Sequence, residues 1–278
     1  MSNFQKETLF QKKIINNICK AALAGGDRSA HLGGALSIVD ILTVLYLNFL
    51  NLNKKNFLKK NRNYFILSKG HACLAYYSVL AELGFFSKKD LLTFEKTNSF
   101  LLGHPVKNLS KGIDFSTGSL GMGMSIAVGL ALGLKKKKFF DKKVFVVVGD
   151  GELNEGSCWE SLMTASHHNL DNLVVIVDNN SFQQTGKNKD IKNMLNLKKK
   201  FSSFGFETYN VDGHNFQSIF STLSNKRKIK KPLGIIAKTT KGKYLDFAEN
   251  NNSFHHAVMT KNLYNSALIQ INNQKIKK

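Results

Sequence analysis

Val144-Phe-Val-Val-Val-Gly-Asp-Gly-Glu-Leu-Asn-Glu-Gly156, followed by Leu173-Val-Val-Ile-Val-Asp-Asn-Asn180, decides how this chain folds. Each stretch opens on a short, continuously apolar, β-branched run and closes on small polar residues. A strand that is apolar on both faces is buried on both faces, which is the pattern of a parallel sheet covered by helices. Working outward, Tyr64–Leu67 and Leu233–Ala237 read as strands of the same kind. Between and around them, apolar residues recur at helical spacing over Phe10–Ala24, Ala72–Leu83, Met122–Leu134, Trp159–Asn169 and Phe216–Lys228. Ser37–Leu50 does the same behind a serine placed to cap it. The alternation predicts an α/β architecture with a parallel sheet. No repeat and no Gly/Ser or proline-rich linker interrupts it, so residues 1–278 read as one domain, with a flexible lysine-rich tail over 273–278.

Composition narrows the function. The 278 residues carry 40 Lys+Arg against 19 Asp+Glu, a formal charge of +21. Such an excess ordinarily points to nucleic acid or an anionic membrane. Here only Arg28, Arg62 and Arg227 are arginine, the residue that forks onto phosphate and base edges. The lysine runs Lys135–Lys138, Lys198–Lys200 and Lys226–Lys231 have no interleaved aromatic residues to stack bases. They read as solvated surface, and no specific nucleic acid is expected as a partner. Cys19, Cys73 and Cys158 have no metal spacing and fit free thiols in a reducing compartment. The first twenty residues lack the apolar core of a signal peptide, and no apolar run is suited to span a bilayer. A cytoplasmic protein without membrane attachment is the expectation.

In an open parallel sheet, ligands bind beyond the carboxyl ends of the strands. Asp150 and Asn180 would project from neighbouring strand ends toward one point, offering two hard oxygens suited to Mg²⁺ or Ca²⁺. The glycines beside Asp150 would let backbone approach a phosphate. A lone Gly-Asp-Gly is most simply a tight turn with a surface aspartate. Paired with an Asn-Asn strand end, it favours a ligand site.

These residues resemble the thiamine diphosphate fingerprint, and the flanking segments resemble transketolase. Ser29-Ala-His31-Leu-Gly-Gly-Ala-Leu-Ser37, Phe65-Ile-Leu-Ser-Lys-Gly-His71-Ala72 and Gly103-His104-Pro105 look like that family's three histidine motifs. Ser116-Thr-Gly-Ser-Leu-Gly-Met-Gly123 is similar to its glycine-rich cofactor turn. Lys238-Thr-Thr-Lys-Gly-Lys243, Glu249-Asn250 and Phe254-His255 resemble the segment closing its diphosphate-binding domain. Because transketolases are more than twice this length, the resemblance is to the N-terminal subunit of a split transketolase.

The resemblance implies an open, mostly parallel sheet with helices on both faces. It places Mg²⁺, with Ca²⁺ or Mn²⁺ as substitutes, on Asp150, Asn180 and the backbone carbonyl of Phe182. It assigns thiamine diphosphate to His71, Gly118, Ser119, Leu120, Gly151, Glu155, Asn180 and His255. His31, His104 and His255 are the implied catalytic histidines, His31 and His104 meeting the sugar's oxygens and His255, with His71, donating to the diphosphate. His256 leaves that last register open by one residue. Glu155, with Glu160, is placed near a subunit interface beside apolar Leu153 and Trp159. His167, His168 and His214 read as surface or loop residues. Ketol transfer between sugar phosphates in the pentose phosphate pathway is implied. The implied partner is a C-terminal transketolase subunit, pyrimidine-binding, in an α₂β₂ assembly. The α-subunit of a 2-oxoacid dehydrogenase shares the metal motif. It and 1-deoxyxylulose-5-phosphate synthase are the rivals that the histidine motifs disfavour. A basic nucleic-acid-binding protein is the remote alternative.

Overall fold

The computed structural model describes residues 4–225 and 230–273. In chain order its elements are α1 (Gln5–Gly25), α2 (Leu32–Leu36), α3 (Val39–Val44), β1 (Tyr64–Leu67), α4 (Cys73–Glu82), α5 (Met122–Lys136), β2 (Val144–Gly149) and α6 (Gly156–His167). There follow β3 (Leu173–Asn179), α7 (Asn188–Ile191), α8 (Leu197–Ser203), β4 (Glu207–Asp212), α9 (Phe216–Ser224), β5 (Leu233–Lys238) and α10 (Lys261–Asn273). The strands form one sheet in the order β1-β2-β3-β5-β4, with every pairing parallel.

Because side chains alternate across a strand, the apolar runs supply two faces at once. Phe65, Leu67, Phe145, Val147, Val174, Ile176, Leu233 and Ile235 face a core built with α1, α3, α4 and α9. Ile66, Val144, Val146, Val148, Val175, Val177 and Ile236 face a second core with α5, α6 and α8. The sheet is therefore open and clad by helices on both sides. The chain runs outward from β1 to β3, skips a position to β4 and returns to β5. The helix between β4 and β5 packs on the face opposite to the one between β2 and β3, as right-handed crossovers demand when direction reverses.

Four local features differ from what the sequence predicts. Strand β4 is an addition: Glu-Thr-Tyr-Asn-Val-Asp is an edge strand, bonded on one side only, so its half-solvated sequence lacks a continuous apolar signal. Ser37 does not cap a helix. It lies at the C-terminal end of α2, and its hydroxyl donates to Asp178 Oδ2 at 2.7 Å. The 37–50 helix is split into α3 and a π turn over Leu45–Phe49. At the C-terminus Asn273 closes α10 rather than opening a tail, and the remaining tail residues lie outside the described residues, as do Lys226–Lys228 of the expected helix beyond α9. No helix among the described residues is long and apolar enough to cross a membrane.

Candidate active site

Four strands end at one edge. β1 runs into Ser68-Lys69-Gly70-His71, β2 into Asp150-Gly151, β3 into Asn180 and β5 into Thr239-Thr240-Lys241. Together with His31, His104, Gly118, Leu120 and His255, these ends line a cavity of about 340 Å³. Gly70 has a steric reason to be glycine, since a Cβ there would lie 2.7 Å from the backbone nitrogen of Gly118. That close approach brings the glycine-rich turn onto the end of β1.

At the base lies a buried polar hub. Lys69, 1% exposed, donates to Asp178 Oδ2 at 2.5 Å and to the Gly34 carbonyl at 3.1 Å. Asp178 also accepts from Ser37, from Thr239 Oγ1, and from Asn180 Nδ2 at 2.8 Å. Burial pushes the Asp178 carboxyl up, but the Lys69 charge and these donors outweigh it and hold it below its ordinary value. The hub orients Asn180. With its amide nitrogen committed to Asp178, its Oδ1 is left as an acceptor, taking the Phe182 N–H at 3.0 Å.

Asp150 stands on the neighbouring strand end and is 2% exposed. Its oxygens accept from Gly151 N at 2.9 Å and Ser181 N at 2.6 Å. Burial and the nearby Asp178 carboxylate push it up to about 6. A cation beside it would relieve that strain. Two buried amide oxygens here also have no hydrogen-bond partner, Asn154 Oδ1 and Asn188 Oδ1. Asn154 lines the cavity, and Asn188 Oδ1 lies 3.6 Å from where a Gly151 Cβ would stand. No cluster of three or more His, Cys, Asp or Glu side chains forms a metal cage among the described residues. One carboxylate, amide oxygens and room for phosphate oxygens fit the way Mg²⁺ binds.

Above the hub the lining turns cationic. Lys241, 2% exposed, donates to Asn252 Oδ1 at 2.7 Å and lies 3.0 Å from His255 Nδ1. Burial, then the charge of Lys69, lowers its pKa to about 8. Lys69 and Lys241 both line the cavity, Lys69 paired with Asp178 and Lys241 facing no carboxylate at hydrogen-bond distance among the described residues, so Lys241 is the cation suited to an anionic ligand. His31 packs among His71, His104, His255 and His256, with ring centroids 5.4, 5.8, 5.3 and 4.4 Å away. Burial and then its neighbours His256, His255, His104 and Lys241 lower His31 to about 3, and burial with Lys241 lowers His255 to about 4. His71 is pushed well below its ordinary value by burial and Lys69. Neutral imidazoles at pH 7 each carry one donor and one acceptor nitrogen, which suits exchange with hydroxyl and carbonyl oxygens.

The structure thus brings together His31, His71, His104, Gly118, Leu120, Asp150, Gly151, Glu155, Asn180, Phe182 and His255 around one cavity. Ser119 is the exception: it is exposed and does not line the wall. His255 lies on the wall, whereas His256 is exposed at its rim against His31. Glu155 and Glu160 are both exposed, and Glu155 precedes α6 as its N-cap. Leu153 is fully buried, and Trp159 packs on Phe201 and Phe204. Leu153 is therefore not free to serve as an interface contact, whereas Trp159 is half-buried and keeps an open edge. His214 sits in a loop as expected, but its ring bonds to the buried Asp40.

Sequence reasoning gives no role to Lys69, Lys241, Asp178 or Glu152. Glu152 is buried and accepts from Ser68 Oγ at 2.5 Å, Gly121 N at 2.8 Å and Gly149 N at 3.0 Å. It ties the glycine-rich turn, the end of β1 and the Asp150 loop together. A signal exists for the lysines, since both lie inside motifs already singled out. Glu152 and Asp178 likewise lie inside the two stretches that decide the fold, but nothing local shows that their carboxylates turn inward to bind distant partners.

An open parallel sheet with a buried carboxylate, two lysines and a histidine cluster at one strand edge defines an α/β domain with a polar ligand cavity at its strand ends. The profile described as transketolase, thiamine diphosphate binding domain, matches residues 12–269, and the chain belongs to that family. It is 41% identical over 235 residues to one chain of the apulose-4-phosphate transketolase of Actinobacillus succinogenes, covering 84% of this chain and 85% of that one. It is 34% identical over 272 residues to a 6-deoxy-6-sulfo-D-fructose transketolase subunit of a Clostridium species, covering 98% of both. Among solved structures, a transketolase from Campylobacter jejuni superposes with a TM-score of 0.85 at 30% identity. That match covers all of this chain and 44% of the other, so the chain spans less than half of that solved enzyme.

Proposed function

We propose that the chain, acting as one diphosphate-binding domain, is the thiamine diphosphate- and Mg²⁺-binding subunit of a two-chain transketolase. The observation that carries the reading is the convergence of Asp150, Asn180, Lys69, Lys241 and the histidine cluster on one cavity. Asp150, Asn180 and the carbonyl of Phe182 would hold Mg²⁺. Gly151, His71, Lys241 and His255 would hold the diphosphate, with Gly118 and Leu120 against the rings. When bound, thiamine diphosphate supplies the electron sink for breaking and remaking a carbon–carbon bond beside a carbonyl.

The chain's own part is orientation and proton handling. Asp178 fixes Asn180 and Lys69, so the metal and diphosphate contacts are set before any ligand arrives. His31 and His104 stand where a ketose would enter; His31, held neutral, offers one donor and one acceptor nitrogen to hydroxyl and carbonyl oxygens, and proton transfer is assigned to His104. The cavity's remaining wall would come from a C-terminal, pyrimidine-binding subunit in a symmetric assembly of two copies of each chain. The relatives are themselves named as subunits, which supports that partner.

The substrate proposal departs from the pentose phosphate pathway. Relatives covered over 85–98% of their length carry the names of apulose-4-phosphate and 6-deoxy-6-sulfo-D-fructose transketolase subunits. These ketoses share an anionic tail, and we assign a ketose of that class as donor. The test is reconstitution with the C-terminal subunit, thiamine diphosphate and MgCl₂. Ketol transfer to an aldose phosphate is then measured from xylulose 5-phosphate, apulose 4-phosphate and 6-deoxy-6-sulfo-D-fructose. Turnover that needs both chains is expected with at least one donor. Full activity of this chain alone, or none with all three donors, would sink the reading.

A further inference from the structure

Away from the cavity, on the core side of the sheet, a second buried polar cluster has no place in the reaction. Asp40 of α3 is fully buried. Its Oδ2 accepts from the Tyr244 hydroxyl and from His214 Nδ1 at 2.7 Å, and its Oδ1 accepts from Gln11 Nε2. Gln11 Nε2 also donates to the Tyr244 hydroxyl at 2.7 Å. On the far side of the imidazole, His214 Nε2 accepts the backbone N–H of Thr240 at 2.8 Å. Accepting there requires a lone pair on Nε2, so the proton is on Nδ1 and points at Asp40. The tautomer is set by the network.

What this cluster grips is the segment that delivers Lys241. Thr240 is held by His214 on one side of that lysine, and Tyr244 is held by Asp40 on the other. Tyr244 has φ of 81°, a conformation that costs a bulky residue strain and persists only when its surroundings enforce it. The enforcement is visible: the hydroxyl is bonded to Asp40 and Gln11, and the N–H to Glu249 Oε1 at 3.0 Å. Burial and Asp40 raise the Tyr244 pKa well above its ordinary value, so the hydroxyl stays a donor. The same turn lays Lys241 against Gly33, where an added Cβ would come within 2.9 Å of Lys241 Cγ.

We propose that Asp40, His214 and Tyr244 are positioning residues, a clamp that holds the 240–244 turn so that Lys241 is presented, buried and aimed, to the anionic end of the active-site cavity. The role rests on the diphosphate reading of that cavity. The clamp touches no ligand and acts through Lys241 alone.

The experiment uses the full chain and reads Lys241 directly. Competitive acetylation, quantified by peptide mass spectrometry, compares Lys241 with the exposed Lys198 in the same molecule, and calorimetry measures binding of inorganic diphosphate with MgCl₂. In wild type Lys241 is protected. His214→Ala and Tyr244→Phe, each with unchanged far-UV circular dichroism, should acetylate Lys241 about tenfold faster and bind diphosphate about tenfold more weakly, as losing one or two buried hydrogen bonds implies. His214→Gln, whose carbonyl can replace Nε2 toward Thr240, should recover most of both. Should His214→Ala fail to fold, Tyr244→Phe, which removes a single oxygen, carries the test. Lys241 still protected in the folded variants overturns the clamp. Lys241 exposed with diphosphate affinity unchanged overturns the diphosphate reading beneath it, and the two failures are distinct.

Discussion

Replacing Lys69 by methionine tests the hub at the base of the site. The ammonium is 1% exposed and pairs with a fully buried Asp178 at 2.5 Å. Methionine keeps most of the aliphatic stem and removes the charge together with its hydrogen bonds to Asp178 and the Gly34 carbonyl. Asp178 then keeps donors from Ser37, Thr239 and Asn180 but loses its counter-charge. Breaking one side of a buried ion pair costs about 3–5 kcal/mol, and the three surviving donors place the loss near the lower end, at about 3 kcal/mol. For 278 residues the unfolding entropy is about 0.6 kcal/mol/K, so the midpoint should fall by about 5 °C. Thermal and urea unfolding, followed by circular dichroism at neutral pH, read this out. Asp178→Asn in the Lys69→Met background should then cost at least 1 kcal/mol less than in wild type, because the stranded charge is already gone. Additive losses, or a single-variant loss below about 1 kcal/mol, would refute the pairing as the source of stability.

Asp150→Ala in the reconstituted enzyme should abolish Mg²⁺-dependent thiamine diphosphate binding in calorimetry, a loss of at least several kcal/mol; unchanged affinity would remove Asp150 from the metal site. His104→Ala should lower turnover by about 10²–10⁴-fold and His31→Ala, by losing a hydrogen bond to the substrate, by about 10²–10³-fold, both with cofactor binding retained, whereas His71→Ala should weaken the cofactor itself. Glu152→Ala strands the donors of Ser68, Gly121 and Gly149 and should cost about 2–4 kcal/mol in urea unfolding. His31, His71 and His255 all have folded pKa values below the unfolded 6.5, so the unfolded chain binds more protons in acid. Their contribution to stability is complete above pH 6.5 and is lost as pH falls toward 4 and 3. Urea midpoints taken from pH 7.5 to pH 5 should decline, and less steeply in His31→Asn; a pH-independent midpoint would contradict the burial of neutral imidazoles.

The sequence alone determined the sheet's central strands and the edge where chemistry gathers. Val144–Val148 and Leu173–Val177 are buried on both faces, so burial writes itself into consecutive residues, and Asp150 and Asn180 follow at the strand ends where a parallel sheet must place them. The histidine motifs were legible for the same reason, each being a short contiguous pattern. The edge strand β4 escaped because half of it faces water and carries no continuous apolar run. Only the tertiary structure decided what holds the site in place. Lys69 and Asp178 are 109 residues apart, Ser37 and Asp178 are 141 apart, and His214 and Asp40 are 174 apart. Nothing local distinguishes a serine that caps a helix from one that donates to a distant carboxylate. The partner that makes the difference is supplied by the crossing of strands and helices far apart in the chain, where loss of water makes each buried polar group depend on the one folded against it.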